Sequence, residues 1–181
     1  MYNYSRSPGF YAEIEVSIKS MKKEVKEVSS VMNLIRVGRN WYQDIWFSNA
    51  SPKYAFFTWL VAKNRIATGD RMIKWNQNVD ASCVFCKDSR ETKDHMFFNC
   101  PYSRTVWKEL VSGLLLNNFT EKWLEIMTML AKKDLDKTKG FIVRYVFQNT
   151  IHSIWRERND RRHGEQPSPT EKIVKLIDKI P

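Results

Sequence analysis

The chain has 181 residues, a formal net charge of +10, 43% hydrophobic residues, seven tryptophans, six glycines and six prolines. The apolar share excludes a disordered tail, and three cysteines, an odd number, argue against a disulfide scaffold and for a reducing compartment. So few turn residues disfavour an all-β fold, and the surplus of positive charge points to a polyanionic partner, nucleic acid or an anionic membrane surface.

Residues 1–12 read as a loose arm. Over residues 13–37, Ile14, Ile18, Met21, Val25, Val28, Met32 and Ile35 recur at spacings of three and four, which predicts an amphipathic helix that Gly38 stops. Trp41, Tyr42, Ile45, Trp46 and Phe47 form an apolar knot. Ser51 as N-cap and Pro52 in the first turn predict a helix running through KYAFFTWLVAKNRI, with Phe56, Trp59, Leu60 and Lys63 on one face and Ala55 and Ala62 widening it. Thr68 caps a short helix, GDRMIKWNQ, that ends before Val79.

After a cysteine segment over residues 80–101, Pro101 opens a helix with Val106, Trp107, Leu110 and Val111 apolar. Phe119, Trp123, Ile126, Met127 and Leu130 predict another over 119–133. A long helix follows over 138–163, Pro167-Ser168-Pro169 breaks it, and Thr170 starts a last amphipathic helix. The fold class expected is mainly α, a helical domain with an inserted irregular loop at the cysteine segment. The expected division is an N-terminal arm and helix over 1–39, a domain carrying the cysteine segment over 40–165 and a C-terminal helix over 166–181. No run reaches the roughly 18 to 20 apolar residues of a membrane span, and no signal peptide is visible, so the expectation is an intracellular protein, nuclear or cytoplasmic, with no membrane partner.

The cysteine segment reads C-x2-C-x8-H-x4-C through Cys83, Cys86, His95 and Cys100, and it holds every cysteine of the chain. Two thiolates separated by two residues can turn toward one metal, and a histidine followed by a third cysteine completes a tetrahedron that suits zinc. The alternatives are free thiols or a redox pair, and no βαβ pattern nearby supports the latter. Four protein ligands leave no position for water, so the zinc is expected to be structural. The His-x-Glu and Pro-Cys-x-x-Cys order of zinc deaminases is not found, nor is H-E-x-x-H, and no catalytic residue is assigned. Three thiolates and one Zn²⁺ lower the charge by one, so the loaded chain stays strongly basic. Phe85, Phe97 and Phe98 flank the ligands and are read as core in preference to nucleobase stacking.

Lys63, Arg65, Arg71 and Lys74 precede this loop, Lys87, Arg90 and Lys93 lie in it, and Arg104 and Lys108 follow, a candidate basic patch around the metal. Arg156, Arg158, Arg161, Arg162 and His163 end the long helix. They could grip phosphates or complement the helix dipole, and the sequence leaves both readings open. The residues carried forward for nucleic-acid contact are Lys87, Arg90, Lys93, Arg104, Arg158, Arg161 and Arg162. Charge reversal at Lys87 and Lys93 should then weaken binding similarly across sequences.

Three stretches resemble the zinc-binding domain of plant reverse transcriptases from LINE-type (non-LTR) retrotransposons. The first runs Pro52-Lys53…Trp59, then Asn64-Arg65-Ile-Ala-Thr68-Gly-Asp70-Arg71 and Trp75. The second is Asp94-His95-Met-Phe-Phe-Asn-Cys100-Pro101-Tyr-Ser103…Val106-Trp107, and the third Ile154-Trp155-Arg156-Glu-Arg158-Asn159-Asp-Arg161-Arg162-His163. The resemblance covers roughly residues 40–165. It implies the same four zinc ligands and metal-dependent nucleic-acid contact in support of reverse transcription. It also implies a polymerase in the same polyprotein, yet no Tyr-x-Asp-Asp occurs here, which with Met1 predicts a fragment or a short gene derived from an element. Two functions follow as expectations. One is a non-enzymatic nucleic-acid-contacting zinc module. The other is a zinc-stabilised interaction module that docks on a reverse transcriptase or another chain.

Overall fold

The computed structural model describes residues 45–88, 90–131 and 135–179. The N-terminal arm, the helix expected over 13–37 and Trp41 and Tyr42 of the apolar knot lie outside these residues. The described part is helical: α1 Pro52–Ala62, α2 Gly69–Met72, a π-helical turn His95–Asn99, α3 Pro101–Leu115, a 3₁₀ turn Leu116–Asn118, α4 Trp123–Ala131, α5 Lys137–Arg162 and α6 Thr170–Asp178. Among the described residues the sole β-type pairing is an isolated bridge between Ser82 and Arg90. No helix among them is long and apolar enough to cross a membrane.

The start of α1 matches its sequence signals only in part. Pro52 occupies the first turn, but the Ser51 side chain makes no capping bond. The helix stops at Ala62, short of the expected Ile66. Asn64 takes a left-handed conformation (φ 52°), and the N–H groups of Asn64 and Arg65 return to the carbonyls of Val61 and Leu60 at 2.9 Å each. These paired bonds close the helix end, with asparagine at the position where a left-handed residue is needed. The buried face overlaps the expected one at Ala55. Ala55, Thr58 and Val61 are buried, whereas Phe56 and Trp59 are half-buried and stack on each other at 6.1 Å. Small residues let α1 approach α5 closely, and the rings are left on the flank.

Helix α5 is the central element and packs against α1, α3, α4, α6 and the π turn. Its first turn is capped by Asp136, which accepts from the Lys139 N–H at 2.9 Å. Val143, Phe147, Ile151 and Ile154 form its apolar stripe, and the polar Gln148, Asn149, Thr150, Glu157 and Arg158 are buried as well. A helix buried on several faces needs internal partners for such groups. The Gln148 side-chain amide donates to the Ile45 carbonyl at 2.6 Å, which ties the first described residue to the core.

The centre of the core is aromatic. Phe98 lies 5.3 Å from Trp107 and 5.8 Å from both Trp123 and Phe147, ring centroid to ring centroid. Trp107 directs its indole N–H to the Thr120 carbonyl at 2.9 Å, so α4 begins at Trp123 and not at Phe119. Helix α6 has the amphipathic pattern the sequence predicts. Ile173 and Ile177 are buried, and the helix packs on α3 and α5, so Thr170–Asp178 contributes to the same core. The Pro167-Ser168-Pro169 break before it is pinned at Ser168. The Ser168 N–H donates to Glu157 at 2.7 Å, and the Ser168 carbonyl accepts from Tyr102 Oη at 2.8 Å and from Arg161 at 3.0 Å.

Candidate metal centre

The Cys83–Cys86 knuckle is turned by Lys87. Its N–H donates to the Cys83 carbonyl at 2.8 Å, and it takes φ 64°, a left-handed conformation that costs a non-glycine residue on the order of 1 kcal/mol. The other ligand pair is spaced by the π turn. Thr92 Oγ1 accepts from the His95 N–H at 3.2 Å, and the Cys100 N–H donates to the His95 carbonyl at 2.7 Å, a bond between residues five apart. That wider turn brings His95 and Cys100 to one side while Met96, Phe97 and Phe98 enter the core with no exposed surface.

The four donor atoms converge within 4.8 Å of one another. Cys83 Sγ and Cys100 Sγ lie 3.8 Å apart, and Cys86 Sγ and His95 Nε2 lie 3.3 Å apart. Bonds of about 2.3 Å to sulfur and 2.0–2.1 Å to nitrogen, arranged tetrahedrally, require about 3.8 Å between sulfurs and about 3.5 Å between sulfur and nitrogen. The donor set and spacing therefore fit zinc, with His95 offering Nε2. Bound zinc would supply a fixed fourfold crosslink with no coordination site open to water.

The Cys83 and Cys100 thiols are in hydrogen-bond contact. Their mutual hydrogen bond lets Cys83 and Cys100 share one proton. Cys83 is pushed down to about 5, chiefly by that bond and further by the N–H groups of Cys86 and Phe85 and the nearby His95. Cys100 is held well above the ordinary thiol range by the same bond and by burial.

Two residues that sequence reasoning passed over hold this loop in place. Glu91 lies between the ligand pairs and is fully buried. Arg158 clamps it from α5, with Nη2 donating to Oε1 at 2.7 Å and Nε reaching Oε1 and Oε2 at 3.2 and 3.3 Å. Arg158 also donates through Nη2 to the Ala67 carbonyl at 2.9 Å and through Nη1 to Asn159 Oδ1 at 2.8 Å. Gly69 is the second residue. Its N–H donates to Glu91 Oε1 at 3.0 Å, and a Cβ there would come within 2.7 Å of the Ala81 carbonyl oxygen, so only glycine fits. The available signals were one glutamate in a loop of cations and a glycine beside Thr68.

The basic residues named from sequence separate into distinct roles. Arg158 is 5% exposed and is held by internal acceptors, so burial removes it from the surface the sequence assigned it to. Arg161 pairs with Glu157 at 2.8 Å and lies over the stacked rings of Phe85 and Tyr102, at 5.0 and 4.4 Å. That contact braces the knuckle against α3, and burial, followed by the Glu157 charge, pushes the Tyr102 hydroxyl up to about 12. Arg162 is 3.6 Å from Glu91 and donates to the Asp80 carbonyl at 3.3 Å. Lys93 sits over the Trp123 ring at 4.1 Å and pairs with Asp94 at 3.3 Å, while Arg104 pairs with Glu121. Lys87 and Arg90 are exposed on the loop. The sequence reading of Phe97 and Phe98 as core holds, and Phe85 is covered by Tyr102 and Arg161.

Comparisons with curated proteins and with solved structures return no match. Residues 24–107, which include the complete ligand set and run into α3, match the family described as zinc-binding in reverse transcriptase, and this supports a zinc-binding domain of the reverse-transcriptase type.

Proposed function

We propose that this chain is a zinc-stapled, non-enzymatic module of LINE-type retrotransposon origin that contacts RNA or DNA mainly through phosphates beside the metal loop. The observation that carries the reading is a closed Cys₃His cluster in a loop of the matched family, with Lys87 and Arg90 exposed on that loop. A metal with four protein ligands serves as a staple, and what it holds in place is a cationic surface. The net charge of +10 favours the same partner. Arg158 is left out of the footprint, and Arg161 and Lys93 support the loop from beneath.

The test is a salt titration of the zinc-loaded chain on structured RNA and on duplex DNA. Affinity should fall steeply with salt. Replacing Lys87 and Arg90 by glutamine should reduce the slope of log K against log salt by about 0.7 to 0.9 per residue, and similarly for unrelated sequences. An unchanged slope would remove the loop from the footprint. No binding at low salt would turn the assignment to the second reading, docking on a reverse transcriptase or another protein chain.

A further inference from the structure

We infer that the loop over residues 69–81 is a finger for single-stranded nucleic acid, in which Trp75 stacks on a base while Lys74 and Arg71 meet the neighbouring phosphates. The inference rests on the nucleic-acid reading above and adds to it a substrate form and a contact residue.

The loop is closed at its base. Gly69 lies against Ala81, the Glu91 N–H donates to the Ala81 carbonyl at 2.8 Å, and the Asp70 N–H donates to the Glu91 carbonyl at 3.0 Å. With Gly69 also bonded to the Glu91 carboxylate, the two ends are locked to the metal loop and, through Arg158, to α5. Compact surface loops with adjoining ends are frequent carriers of function. Rigid anchoring of this kind lowers the ordering cost of whatever binds the tip.

The tip is built unlike a core element. Trp75 is 68% exposed, so its ring cannot have both faces covered by protein. Arg71 lies 5.7 Å from the ring centroid, which sets a half-buried cation beside the indole. Lys74, Asn76, Gln77 and Asn78 are exposed beside it, a cation and three carboxamides. The acidic residues of the loop are turned to local duty. Asp70 accepts from Thr68 Oγ1 at 2.5 Å, and Asp80 accepts from the Ser82 N–H and hydroxyl at 2.8 and 2.9 Å. No second exposed apolar side chain accompanies Trp75 on this loop, which argues against a protein-docking patch. An accessible indole among cations and amides is the chemistry of base stacking with backbone tracking. A duplex hides its base faces, so the ring selects single strands.

The experiment uses the full zinc-loaded chain, with labelled oligo(U), oligo(dT) and a duplex of equal length at one salt concentration. Trp75→Ala should weaken binding to the single strands by about 5- to 150-fold and change duplex binding by less than about twofold. Trp75→Phe should recover most of the loss. If Trp75→Ala binds single strands like the parent while the Lys87/Arg90 glutamine variant weakens, the finger is overturned and the phosphate reading survives, with Trp75 left as a protein contact. If the parent binds no nucleic acid, both readings fall. Photocrosslinking of a 5-bromouridine oligonucleotide to the unmodified chain is independent of any folding defect in the variants. Adducts on the peptide containing Trp75 are expected, and adducts confined to other peptides would overturn the inference.

Discussion

Between Cys83 and Arg90 the chain buries one described side chain, that of Cys83, whereas between His95 and Cys100 it buries Met96, Phe97, Phe98 and Cys100. The first half of the metal loop is held by its ligands, by the Arg161 brace and by Glu91. The second half is part of the aromatic core and would have reason to fold around Trp107, Trp123 and Phe147 without a metal. The metal thus joins a segment that is part of the core to one that packs on it chiefly through the half-buried Phe85. Its contribution falls where apolar burial is least, which is also where the exposed cations lie.

Removing the metal should produce the largest effect, since zinc-site binding energies in small fingers are on the order of 10 kcal/mol and act as folding energy. With zinc chelated, amides over residues 82–90 should lose hydrogen-exchange protection well before those of Met96, Phe97, Phe98 and α5. Simultaneous loss in both halves would break the comparison and make the loop one cooperative unit.

A smaller effect is expected from Glu91→Ala, about 3–5 kcal/mol by denaturant unfolding of the loaded chain, because Arg158 keeps a buried charge with no counterpart. The double change Glu91→Leu with Arg158→Met should recover much of that loss. Failure to recover would locate the role of Glu91 in its bond to Gly69 and not in the charge pair.

The smallest effect concerns the seam between α1 and α5, away from the metal. His152 sits against Tyr54 and Phe57, at 4.8 and 5.8 Å. Burial, aided by the charges of Lys53 and Arg156, lowers its pKa from 6.5 to about 4. Between those values the unfolded chain binds more protons than the folded one, so stability rises with pH there. The contribution is complete above about 6.5 and declines as the pH falls toward 4. The parent should therefore lose more thermal stability between neutral and mildly acidic pH than His152→Phe does. Equal losses would remove His152 from the acid sensitivity of the chain.

The zinc ligands, the mainly helical class and helices α3, α5 and α6 were legible in the sequence. Each rests on local information: a fixed ligand spacing, a helical period, or a proline at an element boundary. The fate of the cations was not local. The row of arginines closing α5 has one chemical identity in the sequence, yet the tertiary structure gives its members different partners. Arg158 goes to buried Glu91, Arg161 to Glu157 and two aromatic rings, and Arg162 to the Asp80 carbonyl beside the loop. The buried face of α1 depends on a neighbour in the same way. The helical period groups Phe56, Trp59, Leu60 and Lys63 with Ala55 and Ala62, whereas packing against α5 buries Ala55 together with Thr58 and Val61. Periodicity and ligand spacing are properties of the chain by itself. Which charge is buried, and which ring is left in solvent, depends on what another segment brings alongside, and that is settled only when the helices pack.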